Sequence, residues 1–315
     1  MVYGEMERVK SPEAVLKEAG FSISERCCAR PSCFDFAARK NSTLILIKAQ
    51  SDIDNLPLSE SAELKSISDC VHAASLIVGE KSRDKPLKDD TVYRRYEVLV
   101  VTPKTFENIV IHKTHPLIHA GPGGYYVDID NETVKKRRQE LGLSVGEMAE
   151  KVGISRRTLY GYERGMAKAS VAAAYNMVYI LGMPVATPIN VLEKAKAQHK
   201  CFLKAKFAIS RSKLLQKIFR KFAQYQITTV KKAPFDFILT TSEGHMKIIG
   251  GVASNQEQEL GRRVDEILSV SKIVKAHPIL ITEEEGLPQK DIACVCKDEL
   301  SKIRNPEDLI AKTLK

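Results

Sequence analysis

The sequence predicts a mixed α/β protein with a small all-α bundle at its centre, and three observations carry that prediction. Residues 131–184 alternate helix-capping residues with apolar positions at helical spacing. The chain on either side reads as helix, two or three strands, helix, strand. Both flanks also carry the same triplet, Phe34-Asp35-Phe36 upstream and Phe235-Asp236-Phe237 downstream. A chain of 315 residues has room for two or three domains. The expected division is an α/β domain over 1–115, an ordered connector or hairpin over 116–130, the bundle over 131–190, a basic linker over 191–211, and a second copy of the α/β domain over 212–315.

Within the bundle, a first helix is expected from about Glu132 to Leu141, crowded with Lys135, Lys136, Arg137 and Arg138 and closed by Gly142. Ser144 caps a second helix and forms a capping box with Glu147, while Val145, Met148, Ala149 and Val152 supply its apolar stripe. Gly153 makes the turn and Ser155 caps a third helix. Ile154, Leu159 and Tyr162 can pack inward there, leaving Arg156, Arg157, Thr158, Tyr160 and Gly161 facing out. Two capped helices joined by a tight turn, the second with arginines at its start, make a helix-turn-helix suited to reading a DNA major groove. The competing reading is a helical protein-interaction module. Glu163 and Arg164 fit an internal ion pair or a helix end as well as they fit DNA.

The flanks are matched element by element. Ser11, Phe21 and the upstream triplet repeat at Ser212, Phe222 and the downstream triplet, with an apparent constant offset of 201 residues. Leu44-Ile45-Leu46-Ile47 is aligned with Met246-Lys247-Ile248-Ile249, and Ser75-Leu76-Ile77-Val78 with Pro278-Ile279-Leu280-Ile281. Helix-like stretches at 63–74 and 259–274 fall between them. The connector HPLIHAGPGGYYVDIDN should turn at Gly121–Gly124 and run on as a short strand, acting as a wing near DNA or as packing that orients the bundle.

Charge separates these regions. The formal net charge is +10, and residues 191–232 hold 12 Lys and Arg against a single acid. Basic residues alternate there with Phe202, Phe207, Leu214, Leu215, Ile218, Phe219 and Phe222, giving an amphipathic pattern whose cationic face attracts a polyanion. Lys213, Lys217 and Lys221 recur every four residues and are the expected auxiliary phosphate contacts; a solvated face or a membrane surface are the alternatives. No stretch approaches the roughly 20 apolar residues of a membrane span, and the N-terminus lacks a signal-peptide core, so a cytoplasmic protein is expected. Seven scattered cysteines without CxxC pairs are expected to be free thiols. His112, His115 and His119 are interrupted by Pro116 and have no neighbouring acid in sequence, so no metal and no cofactor are expected.

The bundle resembles the DNA-binding domain of the lambda-repressor and Cro (Cro/C1) type. The resemblance is carried by Leu143-Ser144, Met148-Ala149, Val152-Gly153-Ile154-Ser155, and Leu159 through Tyr162-Glu163-Arg164-Gly165, in order and at the family's spacing. It implies DNA contacts from Ser144, Ser155, Arg156, Arg157, Thr158, Tyr160, Gly161 and Arg138. One position departs: the family has Gln after the Ser that caps helix two, where it touches phosphate, and this chain has Val145.

The flanks resemble the core of restriction-endonuclease-like folds, the archaeal Holliday-junction resolvases in particular. Those enzymes hold a divalent metal with an Asp and an acid-x-Lys triplet, the Lys assisting water attack. Asp35 and Lys48 match the first and last members, but Leu46 stands at the acid. Downstream, Asp236 remains while the triplet falls near Ile248, Ile249 and Gly250. Both copies therefore read as degenerate and catalytically silent, with Asp35 and Asp236 bracing their hairpins.

Over the whole chain, the arrangement resembles archaeal transcriptional regulators of this helix-turn-helix class. That resemblance implies a non-enzymatic regulator bound to double-stranded DNA, working as a homodimer, with a small-molecule effector compatible and no membrane role. The α/β flanks would serve dimerisation, sensing or auxiliary DNA contact. A DNA-structure-directed enzyme or its inactive relative, and an adaptor of the transcription machinery, are the alternatives.

Overall fold

In the computed structural model the described residues are 10–193, 213–240, 246–253, 257–283, 292–303 and 305–311. Most of the expected basic linker, including Phe202, Phe207 and Ser212, lies outside them. Among the described residues no helix is long and apolar enough to cross a membrane.

The first α/β unit begins with helix α1 (Pro12–Glu18), which Ser11 caps by accepting the Ala14 amide at 3.2 Å. Strand β1 (Ser22–Ile23) lies on the hairpin of β2 (Phe36–Lys40) and β3 (Thr43–Ala49). Helix α2 (Leu58–Val71) crosses over to β4 (Ala74–Val78), parallel to β3. A two-residue ribbon, β5 (Lys81–Ser82) and β6 (Lys85–Pro86), precedes β7 (Thr91–Arg95) and β8 (Val98–Val101), and helix α3 (Pro103–Val110) follows. The run Leu44-Ile45-Leu46-Ile47 is apolar throughout because β3 is covered on both faces. Ile45 and Ile47 pack with Val15, Leu16, Phe106 and Ile109 of α1 and α3. Leu44 and Leu46 point the other way, into a core shared with the C-terminal part of the chain.

That C-terminal part is helix α8 (Lys213–Lys221), strands β12 (Gln226–Thr229), β13 (Phe237–Thr240) and β14 (Lys247–Ala253), helix α9 (Leu260–Val274), strands β15 (His277–Thr282) and β16 (Ala293–Cys296), and helices α10 (Lys297–Lys302) and α11 (Pro306–Ala311). Its sheet runs β12-β13-β14-β15-β16, with the same pairing senses as β1-β2-β3-β4-β8. Register corrects the constant offset expected from sequence. Phe36 faces Ile47 and Phe237 faces Gly250, so β2 and β13 differ by 201 residues but β3 and β14 by 203. Leu44–Ile47 therefore matches 247–250, one residue beyond the sequence alignment. A slip of one would exchange the two faces of a strand.

The two units meet face to face. Phe34 and Phe235 lie 6.3 Å apart in one continuous core, flanked by Leu64 and Ile67 of α2 and by Val264 and Ile267 of α9. The polar contacts are reciprocal. Glu266 on α9 accepts the backbone amides of Cys28 and Ala29 at 2.7 and 2.8 Å, and Glu63 on α2 accepts those of Lys231 and Lys232. Donors and acceptors are each displaced by 203 residues, which is the pattern of an isologous, two-fold-like interface inside one chain.

In the chain, the bundle lies between the two units and keeps a core of its own. Its helices are α4 (Asn131–Glu140), α5 (Val145–Val152), α6 (Arg156–Glu163) and α7 (Val171–Leu181), packed around Val134, Met148, Val152, Leu159, Tyr162 and Met177. The connector forms a hairpin of β9 (Ile118–Gly121) and β10 (Gly124–Val127). Strand β9 pairs in parallel with β7, while β10 pairs with the two-residue β11 (Ala169–Ser170) between α6 and α7. One sheet thus runs β1-β2-β3-β4-β8-β7-β9-β10-β11, from the first α/β unit into the bundle. The connector is thus an ordered hairpin that joins the first sheet to the bundle.

Candidate nucleic-acid interface

The helix pair is built by its caps. Ser144 accepts the Glu147 amide at 3.1 Å while Glu147 accepts the Ser144 amide at 2.8 Å, completing the capping box. The Ser144 amide, and after it the Ser144 hydroxyl, hold the Glu147 carboxyl below the usual range. Gly153 ends α5 in the left-handed region, at φ +81°, where a side chain would be strained. Ser155 then accepts the Thr158 amide at 3.0 Å, and the two hydroxyls lie 2.8 Å apart. Each such cap stabilises its helix by about 1 kcal/mol. Together they set where α5 begins and ends and where α6 begins, leaving the side chains of Arg156 and Arg157 out of the caps.

On α6, Leu159, Tyr162 and Glu163 are buried, Arg156, Arg157 and Tyr160 are exposed, and Thr158 and Gly161 are half-buried. Arg156 and Arg157 have no hydrogen-bond or ion-pair partner among the described residues. Tyr160 is exposed, with the Arg164 guanidinium 4.7 Å from its ring centroid. The Arg156 guanidinium lies over the first turn of α5, against Gly146.

Arg138 is a correction. It was expected on the DNA face, but it is buried and forked onto Glu163, with N–O distances of 2.6 and 3.0 Å, and donates a third bond to the Leu143 carbonyl at 2.7 Å. Its pKa is raised by the Glu163 hydrogen bonds, so its donors are committed to locking α4 to α6. The Glu163–Arg138 pair settles the alternatives left open for Glu163 in favour of an internal ion pair.

Helix α8 turns Leu214, Leu215, Ile218 and Phe219 into the core of the second sheet. Lys213 and Lys217 are exposed on its outer face, as the four-residue spacing predicts. Lys221 is only half-exposed and donates to the Ser301 carbonyl at 2.9 Å, which removes it from the free stripe.

The carboxylates Asp35 and Asp236 are each held by the protein's own cations. Asp35 accepts the Ala49 amide at 2.8 Å across its hairpin and pairs with Lys48 at 3.1 Å and Arg26 at 3.4 Å. Asp236 accepts the Val252 amide at 2.6 Å in the matching geometry. Corrected register puts Gly251 at the lysine position, where a Cβ would lie 2.9 Å from Ile267 Cδ1 and 3.2 Å from Leu280 Cδ1, with Arg263 Nη2 beyond them at 3.4 Å. Arg263 is fully buried and pairs with Asp236 and, at 2.9 Å, with Glu257. Arg30 reaches over from the first unit to the same two acids, at 2.9 and 3.1 Å. With Leu46 buried at the triplet acid, the first centre offers Asp35 alone, paired with Lys48 and Arg26, and the second offers Asp236 and Glu257, both paired with Arg263 and Arg30. That donor set does not fit a divalent metal.

His119 has an acid partner after all, one the sequence order hid. Its Nε2 lies 2.6 Å from Asp128, which Lys168 also meets at 2.7 Å, tying the hairpin to the α6–α7 loop. Burial lowers the His119 pKa. Asp128 feels burial in the opposite sense, and its bonds to Lys168 and His119 outweigh it, leaving its carboxyl below the usual range. Cys27, Cys33, Cys70 and Cys296 are buried and outside any disulfide, with burial pushing Cys27 and Cys33 up; Cys28 is exposed.

These two kinds of domain are the ones that known families show. Residues 6–116 match the PD-(D/E)XK superfamily domain, and residues 134–186 match a helix-turn-helix domain. A "putative HTH-type transcriptional regulatory protein" of Halobacterium salinarum is 30% identical over 96% of this chain and 94% of its own. One of the same name from Methanosarcina barkeri is 31% identical over 94% and 92%. The chain belongs to this family. Among solved structures, the biofilm master regulator SinR in complex with DNA is 28% identical over 17% of this chain and 86% of that chain, with a TM-score of 0.16. Both alignments extend over the flanks as well as the bundle, covering nearly the full length of each pair of chains.

Proposed function

We propose that this protein is a sequence-specific DNA-binding transcriptional regulator that reads the major groove with α6. The observation that carries the reading is the pair of unpartnered, exposed guanidinium groups of Arg156 and Arg157 at the start of a rigidly capped helix. Arginine in that position suits bidentate contact with guanine. Ser144 and Ser155 accept the capping amides of Glu147 and Thr158; the Ser144 hydroxyl can still donate to phosphate, as can whichever of the Ser155 and Thr158 hydroxyls does not donate to the other, and Tyr160 and Gly161 complete the outward face of α6. Lys213 and Lys217 add phosphate contacts that carry no sequence information.

The C-terminal unit is read as a second, degenerate copy of the PD-(D/E)XK-like domain, supported by its matching strand order and its reciprocal interface with the first. Neither copy cleaves DNA, because the carboxylates are neutralised by Lys48, Arg26, Arg263 and Arg30. Since the two α/β faces cover one another within a single chain, they are not available to join two chains, and a homodimer forms through other surfaces. Two readers per site follow from the short reach of one recognition helix.

Selection of bound sequences from random duplex DNA tests this reading. A two-fold symmetric consensus is the expected result. A preference for four-way junctions with no consensus would favour a nuclease-like, structure-directed protein, and absence of binding would favour the adaptor.

A further inference from the structure

Arg156 and Arg157 are adjacent, alike and both unpartnered, yet they stand in different surroundings. The guanidinium of Arg156 reaches ten residues back to the first turn of α5. A Cβ built on Gly146 would lie 2.8 Å from its Nε, closer than real Cβ contacts are found, and 3.0 Å from its Cζ and Nη2, which is tight. The guanidinium sits in space that a side chain at residue 146 would take, and with one there it would have to shift.

Gly146 has no other reason to be glycine. Its φ is not in the left-handed region, unlike those of Gly142, Gly153 and Gly165 in the same bundle. Inside a helix a glycine is less favourable than alanine by about 1 kcal/mol. Within a helix of only eight residues, a glycine at this point is accounted for by the seat it makes for Arg156.

We infer that the two arginines divide the work of recognition: Arg156, held against α5, contacts a backbone phosphate, and Arg157 reads a base edge. The inference rests on the DNA reading proposed above. When a helix-turn-helix docks, its first helix crosses the sugar-phosphate backbone while the second enters the groove. A cation drawn onto the first helix is therefore drawn toward phosphate. The same helix carries Val145 at its first position, a side chain that offers phosphate nothing, so a charge from α6 fills a place its own side chain leaves empty. Arg157 lies about 100° further around α6 and has no seat. It is exposed and unpartnered, free to extend along the groove floor.

The test measures equilibrium binding of the full-length protein to its selected duplex, to single-base-pair variants of it and to random duplex, over a range of salt. Wild type is compared with Arg156→Ala, Arg157→Ala, Gly146→Ala and the Gly146→Ala/Arg156→Ala pair. Arg157→Ala should lose discrimination at one base pair by roughly five- to 150-fold. Arg156→Ala should weaken every duplex by a similar factor and lower the salt slope by about one. Gly146→Ala should reproduce Arg156→Ala, and the double variant should be no weaker than Arg156→Ala alone, because both changes remove one contact.

Loss of base-pair preference in Arg156→Ala would overturn the division, whatever Gly146→Ala does to folding. So would a Gly146→Ala protein of normal melting temperature that binds as wild type does. A wild type without any preferred sequence is a separate result, one that removes the parent reading along with this one.

Discussion

The bundle and the two carboxylate centres handle charge in opposite ways. On α6, Arg156 and Arg157 stand in solvent without partners, whereas Asp35 and Asp236 are each bound by a backbone amide and by two cations of the chain. An ionic group desolvated and paired inside a protein must be torn from its partner before it binds anything else, at a cost of several kcal/mol. An exposed arginine meeting DNA has only to displace counterions. The contrast teaches that residue type does not locate function here, and that the state of pairing does. Arg138 makes the point within the bundle itself: it is an arginine of the same domain, spent on Glu163.

The sharpest way to break this comparison is to unpair the buried side. Arg263→Ala would leave Asp236 and Glu257 facing one another beside a single remaining cation, Arg30. Loss of about 3–5 kcal/mol in a denaturant titration is expected, and a loss below about 1 kcal/mol would mean that the centre is more solvated than the structure shows. Arg138→Ala should cost somewhat less, about 3 kcal/mol, since only one acid is stranded. Arg157→Ala, by contrast, should leave stability within about 0.5 kcal/mol of wild type.

The outer face of α8 extends the comparison to binding. Removing Lys213 and Lys217 together should weaken specific and random duplex alike and lower the salt slope by roughly two, one for each phosphate contact. Adding Lys221→Ala should change the slope no further, because that ammonium is occupied by the Ser301 carbonyl.

The smallest expected effect concerns pH. With its pKa lowered from the ordinary value of 6.5, His119 binds protons less readily in the folded protein than in the unfolded chain. Stability from this source is present above pH 6.5 and declines as pH falls below it. Melting temperatures recorded between pH 5 and 7.5 should show that slope flattened in His119→Gln. An unchanged slope would place the dependence elsewhere.

Much of this was legible in the sequence because caps and periodicity are local. Ser144 with Glu147, Gly153 and Ser155 define α5 and α6 by chemistry that acts within four residues. Strand patterning showed the two α/β units, but it could not show their register. Leu44–Ile47 is apolar at every position, so nothing in the run marks which face a residue takes, and the alignment with the second unit slipped by one. The reciprocal bonds of Glu63 and Glu266 span 168 to 238 residues and leave no local trace. Arg138 was misplaced for the same reason. Its i+25 partner Glu163 comes near only once α4 has packed on α6, though two opposite charges in a small bundle with few acids were a signal to weigh. The seat of Arg156 on Gly146 was the hardest to see, because a glycine inside a helix reads as a weakness until its neighbour is known.

The central claim, that α6 reads the sequence while the α/β units do not, is tested most directly by one ratio. Affinity for the selected site divided by affinity for random duplex is measured for wild type and for Arg156→Ala/Arg157→Ala, at one salt concentration and with melting temperatures matched. The account predicts that the ratio falls by roughly five- to 150-fold in the double variant while the fold stays intact. A ratio that survives the loss of both arginines would contradict it.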